Sequence, residues 1–398
     1  MKVLFVHAIV EQDAGHDMLR ALDSLGYETE EYSVIQLRPS FLEDEEIGTL
    51  EVYIREHQIQ LAISIHFVMN AAMAAYKTGI KYCAVLWDAP FVEIYNPMSK
   101  LNNVWISTFD KLDRNRFLEY GMRHVLYQPL AVSREKAAEW DQEIQTVLQG
   151  KYMYDISFIG SLYEKNAYDR YLDKIPIDMR YYFNSIFEEA AFKWDGVNRV
   201  YGKTGPEIIE YIKRVSPDFQ IPNKQDIPDV QYFEALALIR KIANIERVAV
   251  LNLLAEQHSV TVYTPDRKTA EEKLRNVRIG PPVEYGKATA LAYAGSRINL
   301  HIALKGIEGG TSLRVMDIMS AGGFVMSSYC AETAELYEED KEIVMFRDPE
   351  ELLYKTDYYL KHDEERRKIA QAGYARVMRS YTYEVRMRML MEWLEGNG

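Results

Sequence analysis

Residues Ile298–Tyr329 read INLHIALKGIEGGTSLRVMDIMSAGGFVMSSY. The stretch opens with an apolar run at Ile298–Ile302, passes through a glycine-rich turn, continues as an amphipathic segment at Ser312–Ala321 and ends in a second apolar run at Phe324–Ser328. Two short apolar strands joined by a helix are typical of a parallel β-α-β unit. The stretch therefore predicts a parallel sheet, with the glycine-rich turn at the carboxyl edge where such sheets bind ligands.

The same alternation of apolar runs and amphipathic segments extends in both directions along the chain. Further predicted strands are Val3–Val6, Leu61–Ile65, Tyr82–Leu86, Asn103–Thr108, His124–Leu126, Asp155–Gly160, Val260–Tyr263, Asn276–Ile279 and Ile343–Phe346. The predicted fold class is α/β, with two Rossmann-like domains and a helical insertion in the second. The expected segments are a domain at 1–135, a linker at 136–154, a domain at 155–380 with the insertion at about 162–243, and a tail helix at 381–398 that can pack back on the first domain.

Composition narrows the function classes. The formal net charge of −13 argues against a nucleic-acid partner, because phosphate backbones bind basic surfaces. Cys83 and Cys330 form neither a disulfide framework nor a zinc motif, so a reducing, cytoplasmic location is expected. The N-terminus lacks the features of a signal peptide, and no apolar run approaches the ~20 residues of a membrane span.

The turn after the strand Ile298–Ile302 carries the strongest binding signal. Gly309 and Gly310 allow a ligand close to the backbone, and Thr311 or Ser312 can cap the following helix. A helix N-terminus attracts phosphates, and an arginine and an aspartate follow at helical spacing. These are Arg314, expected on the diphosphate, and Asp317, expected on ribose hydroxyls. The alternative is a tight turn followed by a surface Arg–Asp pair.

Two other turns follow predicted strands. Gly160, Ser161 and Tyr163 come after Asp155–Gly160 and offer backbone access and two hydroxyls to a ligand. Asp88 follows Tyr82–Leu86, where it is a candidate general base. An ordinary strand-ending turn and an aspartate that caps its own loop are the competing interpretations.

Histidines near the N-terminus are further candidates for proton transfer. His7 and His16 lie close to the end of the first predicted strand, and His66 follows a later one. A purely structural role is the alternative for each. The tyrosine-rich insertion can stack on sugars, pack helices or form a subunit contact, so a homo-oligomer is left open.

Several ordered motifs resemble the CgeB-like, spore-maturation glycosyltransferases. The resemblance extends from about Ala84 to Arg388 and is carried by WDAPFVEIYN, STFDKLDRNRFLEYGMRHVLYQPLA, YDISFIGSLY, the stretch quoted first and DPEELLYKTDYYLKHDEERRKIAQAGYARV. It implies a GT-B fold, with an acceptor-side first domain and a nucleotide-sugar-binding second domain. The residues that match the family pattern are Asp88, Gly160, Arg314, Asp317, Gly322 and Gly323.

One departure concerns stereochemistry. Many retaining enzymes of this fold carry two glutamates around the donor-binding turn, whereas here Asp317 replaces the second and Glu308 is displaced by one residue. The resemblance therefore implies neither retention nor inversion.

The resulting hypothesis is a metal-independent glycosyltransferase without a cofactor. It moves a sugar from a nucleoside-diphosphate donor, expected to be UDP-linked, to a hydroxyl of a protein, glycan or small molecule. Asp88, His7 and His16 are the expected catalytic residues. The alternatives are a sugar-nucleotide epimerase or hydrolase of the same fold, and a non-catalytic nucleotide-sugar-binding protein. No metal site is expected, since the sequence contains no Asp-x-Asp pair.

Overall fold

The computed structural model describes residues 1–8, 13–34, 42–219, 228–281 and 283–396. The chain forms two compact units. The first contains Met1–Ser133 and Tyr381–Gly398, and the second contains Arg134–Ile221 and Asp229–Ser380. Among the described residues, no helix is both long and apolar enough to cross a membrane.

The first part of the chain alternates strands and helices. Its elements are β1 (Lys2–Ala8), α1 (Asp13–Ser24), β2 (Glu28–Val34), α2 (Asp44–Glu56), β3 (Leu61–Ile65), α3 (Met69–Thr78), β4 (Lys81–Val85), 3-10 turns at Val92–Ile94 and Pro97–Lys100, β5 (Val104–Thr108), α4 (Lys111–Tyr120) and β6 (His124–Tyr127).

The remaining elements begin with a helical stretch and then resume the alternation. They are α5 (Arg134–Leu148), β7 (Tyr154–Ile159), α6 (Ala167–Tyr171), a 3-10 turn at Leu172–Lys174, α7 (Ile177–Ala190), α8 (Pro206–Val215), α9 (Asp229–Phe233), a π-helical segment at Glu234–Ile239, α10 (Arg240–Ala255), β8 (Val260–Tyr263), α11 (Arg267–Lys273), β9 (Arg278–Ile279), α12 (Lys287–Ala294), β10 (Ser296–His301), α13 (Leu313–Ser320), β11 (Val325–Ser328), α14 (Ala331–Leu336), β12 (Val344–Phe346), α15 (Pro349–Lys361), α16 (Asp363–Ser380) and α17 (Tyr383–Gly396).

In the part of the chain that the structure describes, the strands form two parallel sheets of six strands each. The order is β2-β1-β3-β4-β5-β6 in the first sheet and β12-β11-β10-β7-β8-β9 in the second. Every residue of β3, β5 and β8 is buried, as expected where helices cover both faces of a parallel sheet. The predicted α/β class, with two Rossmann-like domains and a helical insertion in the second, is confirmed.

Strand β2 was not among the predicted strands. Its sequence, ETEEYSV, is half exposed because it forms the edge of the first sheet beside β1. Charged residues are usual on edge strands, where they discourage pairing with another chain. A continuous apolar run is therefore absent from this strand.

The C-terminal helix α17 packs within the first unit. Met387, Leu390 and Leu394 join the buried cluster that also contains Val3 and Met18. The Val132 N–H donates to the Tyr381 carbonyl and the Tyr383 N–H donates to the Val132 carbonyl, which forms a short parallel bridge at Thr382. Burial of its apolar side thus fixes α17 beside α1 and the first sheet.

Residues 136–154, expected to be a linker, are largely helix α5 of the second unit. Ala137, Trp140 and Leu148 form its buried side, and the acidic and glutamine-rich remainder conceals that periodicity in the sequence. The segment predicted as a helical insertion contains α6 to α9, and α10 continues from it through the π-helical segment.

Candidate functional site

The candidate site of the second unit is built on two neighbouring strands. Strands β7 and β10 pair in parallel, with Ile156 beside Ile298. The turn beginning at Gly160 and the turn after His301 therefore leave the same edge of the sheet, where the sequence analysis placed the ligand. Gly160 is packed closely, since a Cβ there would lie 3.2 Å from the Phe158 ring.

Arg247, on α10, joins these two turns. Its guanidinium donates to the carbonyl oxygens of Ser161 at 2.6 Å and Ile302 at 2.8 Å, and it lies 4.9 Å from the Tyr163 ring centroid. The side chain is buried, and this burial lowers the pKa of the guanidinium. Arg247 is not among the residues predicted from the sequence, although a charged residue in the apolar stripe that continues at Val250 and Leu254 is a usable signal.

Arg314 approaches the same region from the first turn of α13. Ser312 caps this helix by accepting a hydrogen bond from the Arg314 backbone N–H at 3.3 Å. The Arg314 guanidinium donates to the hydroxyl of Tyr293 on α12. Helix capping and this contact hold the guanidinium beside the helix N-terminus, whose free N–H groups favour an anion.

The pKa of His301 depends on its burial and on the positive charges of the two arginines. His301 is the last residue of β10 and is 5% exposed. Burial, reinforced by the positive charges of Arg247 and Arg314, lowers its pKa to about 3. The imidazole is therefore neutral at physiological pH, and the excess positive charge of this region comes from the two guanidinium groups.

Asp317 lies one helical turn beyond Arg314 and is 5% exposed. Its carboxylate accepts a hydrogen bond from the Tyr285 hydroxyl at 3.2 Å. Burial raises the pKa of Asp317 to about 6, against the opposing effects of Arg314 and the Tyr285 bond. The alternative of a surface Arg–Asp pair is wrong, because the aspartate is buried.

Hydrogen bonds to residues of the following β11–α14 segment hold the glycine-rich turn in place. Gly309 and Gly310 are buried, and the Gly310 carbonyl lies 3.2 Å from the Cys330 thiol, which donates to it. The Thr311 hydroxyl donates to Glu332 at 2.7 Å and lies 3.0 Å from the Thr333 hydroxyl. Thr311 therefore holds the turn in place, and the predicted capping role belongs to Ser312.

The loop after β7 is held in a similar way. The Ser161 hydroxyl donates to Asp266 at 2.5 Å and accepts from the backbone N–H of Tyr163 at 2.9 Å. Tyr163 has a φ of 53°, a left-handed conformation that is uncommon outside glycine. The hydrogen bonds of Ser161 thus shape the loop and present the Tyr163 ring to Arg247.

A buried ion pair lies beside these turns. Lys305 is 3.3 Å from Glu246, which is fully buried, and burial raises the pKa of Glu246 and lowers that of Lys305. Lys305, Glu308 and Trp194 line a cavity of about 60 Å³. The insertion, through Trp194, therefore borders the predicted donor side of the turn.

A larger cavity, of about 400 Å³, opens at the other edge of the second sheet. Ser296 and Phe324, near the starts of β10 and β11, line it together with Arg366 and Arg367. Both guanidinium groups are paired with Asp363. Among the described residues, the hydrogen bonds of Arg247 and Arg314 go instead to uncharged carbonyl and hydroxyl oxygens, so the carboxyl edge is the better candidate for an anion site.

In the first unit, Asp88 lies beside His66. The His66 Nε2 atom is 3.2 Å from the carboxylate, and the side chain of Asp88 is 77% exposed. His66 has a φ of 59° and stacks on Phe91 with ring centroids 4.6 Å apart. Because β3 and β4 are neighbours, His66 and Asp88 leave the same edge of the first sheet.

His7 and His16 lie together, but not in the expected turn. His7 is within β1, His16 is on α1, and residues 9–12 between these elements lie outside the described part. Their Nε2 atoms are 2.9 Å and 3.5 Å from the same carboxylate oxygen of Glu31 on β2. Glu31 was missed because its strand was not predicted.

Comparison with known proteins shows which proteins have a similar architecture. Residues 245–392 match the model of a family described as glycosyl transferase-like. The chain aligns over 100% of its length with all of sucrose-phosphate synthase from Thermosynechococcus elongatus, at 8% identity and a TM-score of 0.56. The chain has the GT-B fold. No curated protein sequence matches it.

Two other GT-B structures are similar. HepE of Anabaena, solved in complex with UDP-glucose, aligns over 100% of both chains at 10% identity and a TM-score of 0.53. The glycosyltransferase AviGT4 of avilamycin A biosynthesis aligns over 98% of this chain and 96% of its own, at 12% identity and a TM-score of 0.51. At these identities, the likeness establishes the fold.

Proposed function

We propose that this protein is a glycosyltransferase that uses a nucleoside-diphosphate sugar, UDP-linked, and a hydroxyl acceptor. The observation that carries the proposal is that Arg247 binds both turns at the carboxyl edge of the sheet, while Arg314 lies at the Ser312-capped N-terminus of α13. A buried guanidinium, that of Arg247, and a half-buried one, that of Arg314, together with a helix N-terminus provide a site for a diphosphate. The similar structure of HepE with UDP-glucose supports UDP as the nucleotide.

In the proposed reaction, the bond between the sugar's anomeric carbon and the diphosphate oxygen breaks, and its electron pair stays on the diphosphate. Arg247 and Arg314 stabilise the negative charge that develops there, because hydrogen bonds to Ser161, Ile302 and Tyr293 hold both guanidinium groups in place before the reaction begins. The acceptor oxygen forms the new bond to the anomeric carbon and gives its proton to a base. We assign that base to Asp88, whose exposed carboxylate is polarised by His66.

We assign binding of the nucleoside's ribose to Asp317. Its carboxylate accepts from Tyr285 and retains lone pairs for ribose hydroxyls. Gly309 and Gly310 allow the sugar nucleotide close to the backbone. Glu308 and Lys305 border the cavity next to this turn, where the donor sugar is expected.

Calorimetric titration of UDP in EDTA tests the proposal. We expect saturable binding without divalent metal, weakened about ten- to a hundredfold in Arg314→Ala, because a hydrogen bond to a charged group contributes about 1.5–3 kcal/mol. Arg297→Ala is the matched control, since Arg297 lies on the same strand as His301 but pairs with Asp155 near its start. Absence of UDP binding, or an equal loss in the control, would contradict the proposal.

A further inference from the structure

Three elements of the first unit bring two imidazoles and a carboxylate to one point. His7 comes from β1, Glu31 from β2 and His16 from α1. One oxygen of Glu31 lies 2.9 Å from the His7 Nε2 and 3.5 Å from the His16 Nε2. The three atoms all lie within 4.8 Å of one another. This cluster is separate from the proposed donor site, which belongs to the second unit.

These distances are close to those of a metal-ligand triangle. Zinc binds imidazole nitrogen and carboxylate oxygen at about 2.0–2.2 Å, so tetrahedral ligands lie about 3.3 Å from one another. The two measured nitrogen–oxygen distances bracket that value. The third edge, between the two imidazole nitrogens, is no longer than 4.8 Å, and the half-exposed His16 and Glu31 side chains have room to rotate toward a shared ion.

The local charge also favours a cation. The ion pairs of Glu31 within the described residues are to His7 and His16. The neighbouring Glu30 points to the other side of β2 and has Lys2 at 2.6 Å. Glu31 therefore has imidazoles as its partners, and a cation held between the three side chains would offset its negative charge.

The position of His7 is fixed before any ligand binds. Its ring centroid lies 4.8 Å from that of Phe5, and a Cβ at Gly15 would come within 3.0 Å of its Cε1 atom. The glycine thus lets α1 pass close to the imidazole. A ligand held by packing loses little freedom on binding, which favours affinity.

We propose that His7, His16 and Glu31 form a binding site for a first-row divalent cation, with Zn²⁺ as the best match to two imidazoles and one carboxylate. Water completes the coordination. The ion ties α1 to the strands β1 and β2 and so stabilises this edge of the first sheet. An imidazole nitrogen that binds the metal cannot accept a proton. The proposed site therefore agrees with the assignment of Asp88, rather than His7 or His16, as the base.

Calorimetric titration of Zn²⁺ into the full-length, EDTA-stripped and dialysed protein tests the site, with Co²⁺ absorption in the visible range as a second readout. We expect one saturable site and a higher melting temperature with Zn²⁺. His16→Ala and Glu31→Gln should each lower the Zn²⁺ affinity by more than about 100-fold, because loss of groups that only orient ligands already costs about 10–100-fold.

His57→Ala is the matched control. His57 also pairs with a glutamate of β2, at 2.7 Å from Glu30, but that glutamate is already neutralised by Lys2. Zn²⁺ affinity in this variant should equal that of the wild type. No saturable binding, wild-type affinity in His16→Ala and Glu31→Gln, or an equal loss in His57→Ala would each overturn the proposal. UDP binding in EDTA is measured separately, so failure of either site is recognised independently.

Discussion

Replacement of Asp317 by asparagine is expected to separate stability from nucleotide binding. Burial raises the pKa of this carboxyl from 3.8 to about 6. Between these values the folded protein keeps Asp317 protonated while the unfolded chain ionises it, so the native state binds more protons. Its contribution to stability is therefore complete below about pH 4 and is lost as the pH rises through 6. At 1.36 kcal/mol per pH unit, the loss at pH 8 is about 3 kcal/mol.

Asp317→Asn carries no charge and escapes this loss. Its amide oxygen can still accept the hydrogen bond from Tyr285, which the carboxylate accepts at 3.2 Å. We expect urea unfolding at pH 8 to give the variant a free energy of unfolding up to about 3 kcal/mol above the wild type, and a difference near zero at pH 4. UMP affinity at pH 8 should fall about tenfold or more, since a charged hydrogen-bond acceptor of the ribose is lost.

Asp155→Asn is the control, because Asp155 is half exposed and its ion pair with Arg297 is on the surface. That variant should show little stability change at either pH. A stability difference for Asp317→Asn that is the same at pH 4 and pH 8 would refute the argument from burial. Unchanged UMP affinity in a folded variant would refute the assignment to ribose.

Three further substitutions test the remaining assignments. Arg314→Ala should weaken UDP far more than UMP in calorimetry; equal losses would contradict a contact with the diphosphate. Arg247→Lys cannot reach both the Ser161 and Ile302 carbonyls and should lower the free energy of unfolding in urea by about 1–3 kcal/mol. An unchanged midpoint would contradict that structural role. Asp88→Asn should lower kcat about 10²–10⁴-fold without changing UDP affinity, once an acceptor is identified; wild-type turnover would exclude Asp88 as the base.

The predictable part of the fold is the part whose signal is local. Leu61–Ile65 and Val260–Tyr263 were predicted with their observed bounds, because buried parallel strands are short continuous apolar runs. The edge strand Glu28–Val34 has no such run. The sequence of helix α5 predicts a linker, because charged and glutamine side chains separate its few buried residues and hide the helical periodicity.

The residues of the candidate site also differ in whether their proximity follows from local sequence. Arg314, Asp317 and Ser312 lie in one glycine-rich strand–turn–helix unit, so their proximity could be predicted from spacing. Arg247 contacts residues 86 and 55 positions away, and Glu31 meets His7 across an unpredicted strand pair. Such contacts depend on strand order and register, which no local pattern specifies.

The proposed ligand explains why charged side chains lie at the carboxyl edge of the second sheet. Arg247 and Asp317 are buried and Arg314 is half-buried, and replacing buried ionic groups by apolar residues of similar size is often neutral or stabilising. A chain selected for stability alone would therefore not retain them. Under the proposed function, the two guanidinium groups gain charge-assisted hydrogen bonds when a diphosphate binds, and Asp317 gains ribose hydroxyls as partners in addition to Tyr285. We therefore expect the free protein to be less stable than its fold allows, and the proposed nucleotide to raise its stability on binding.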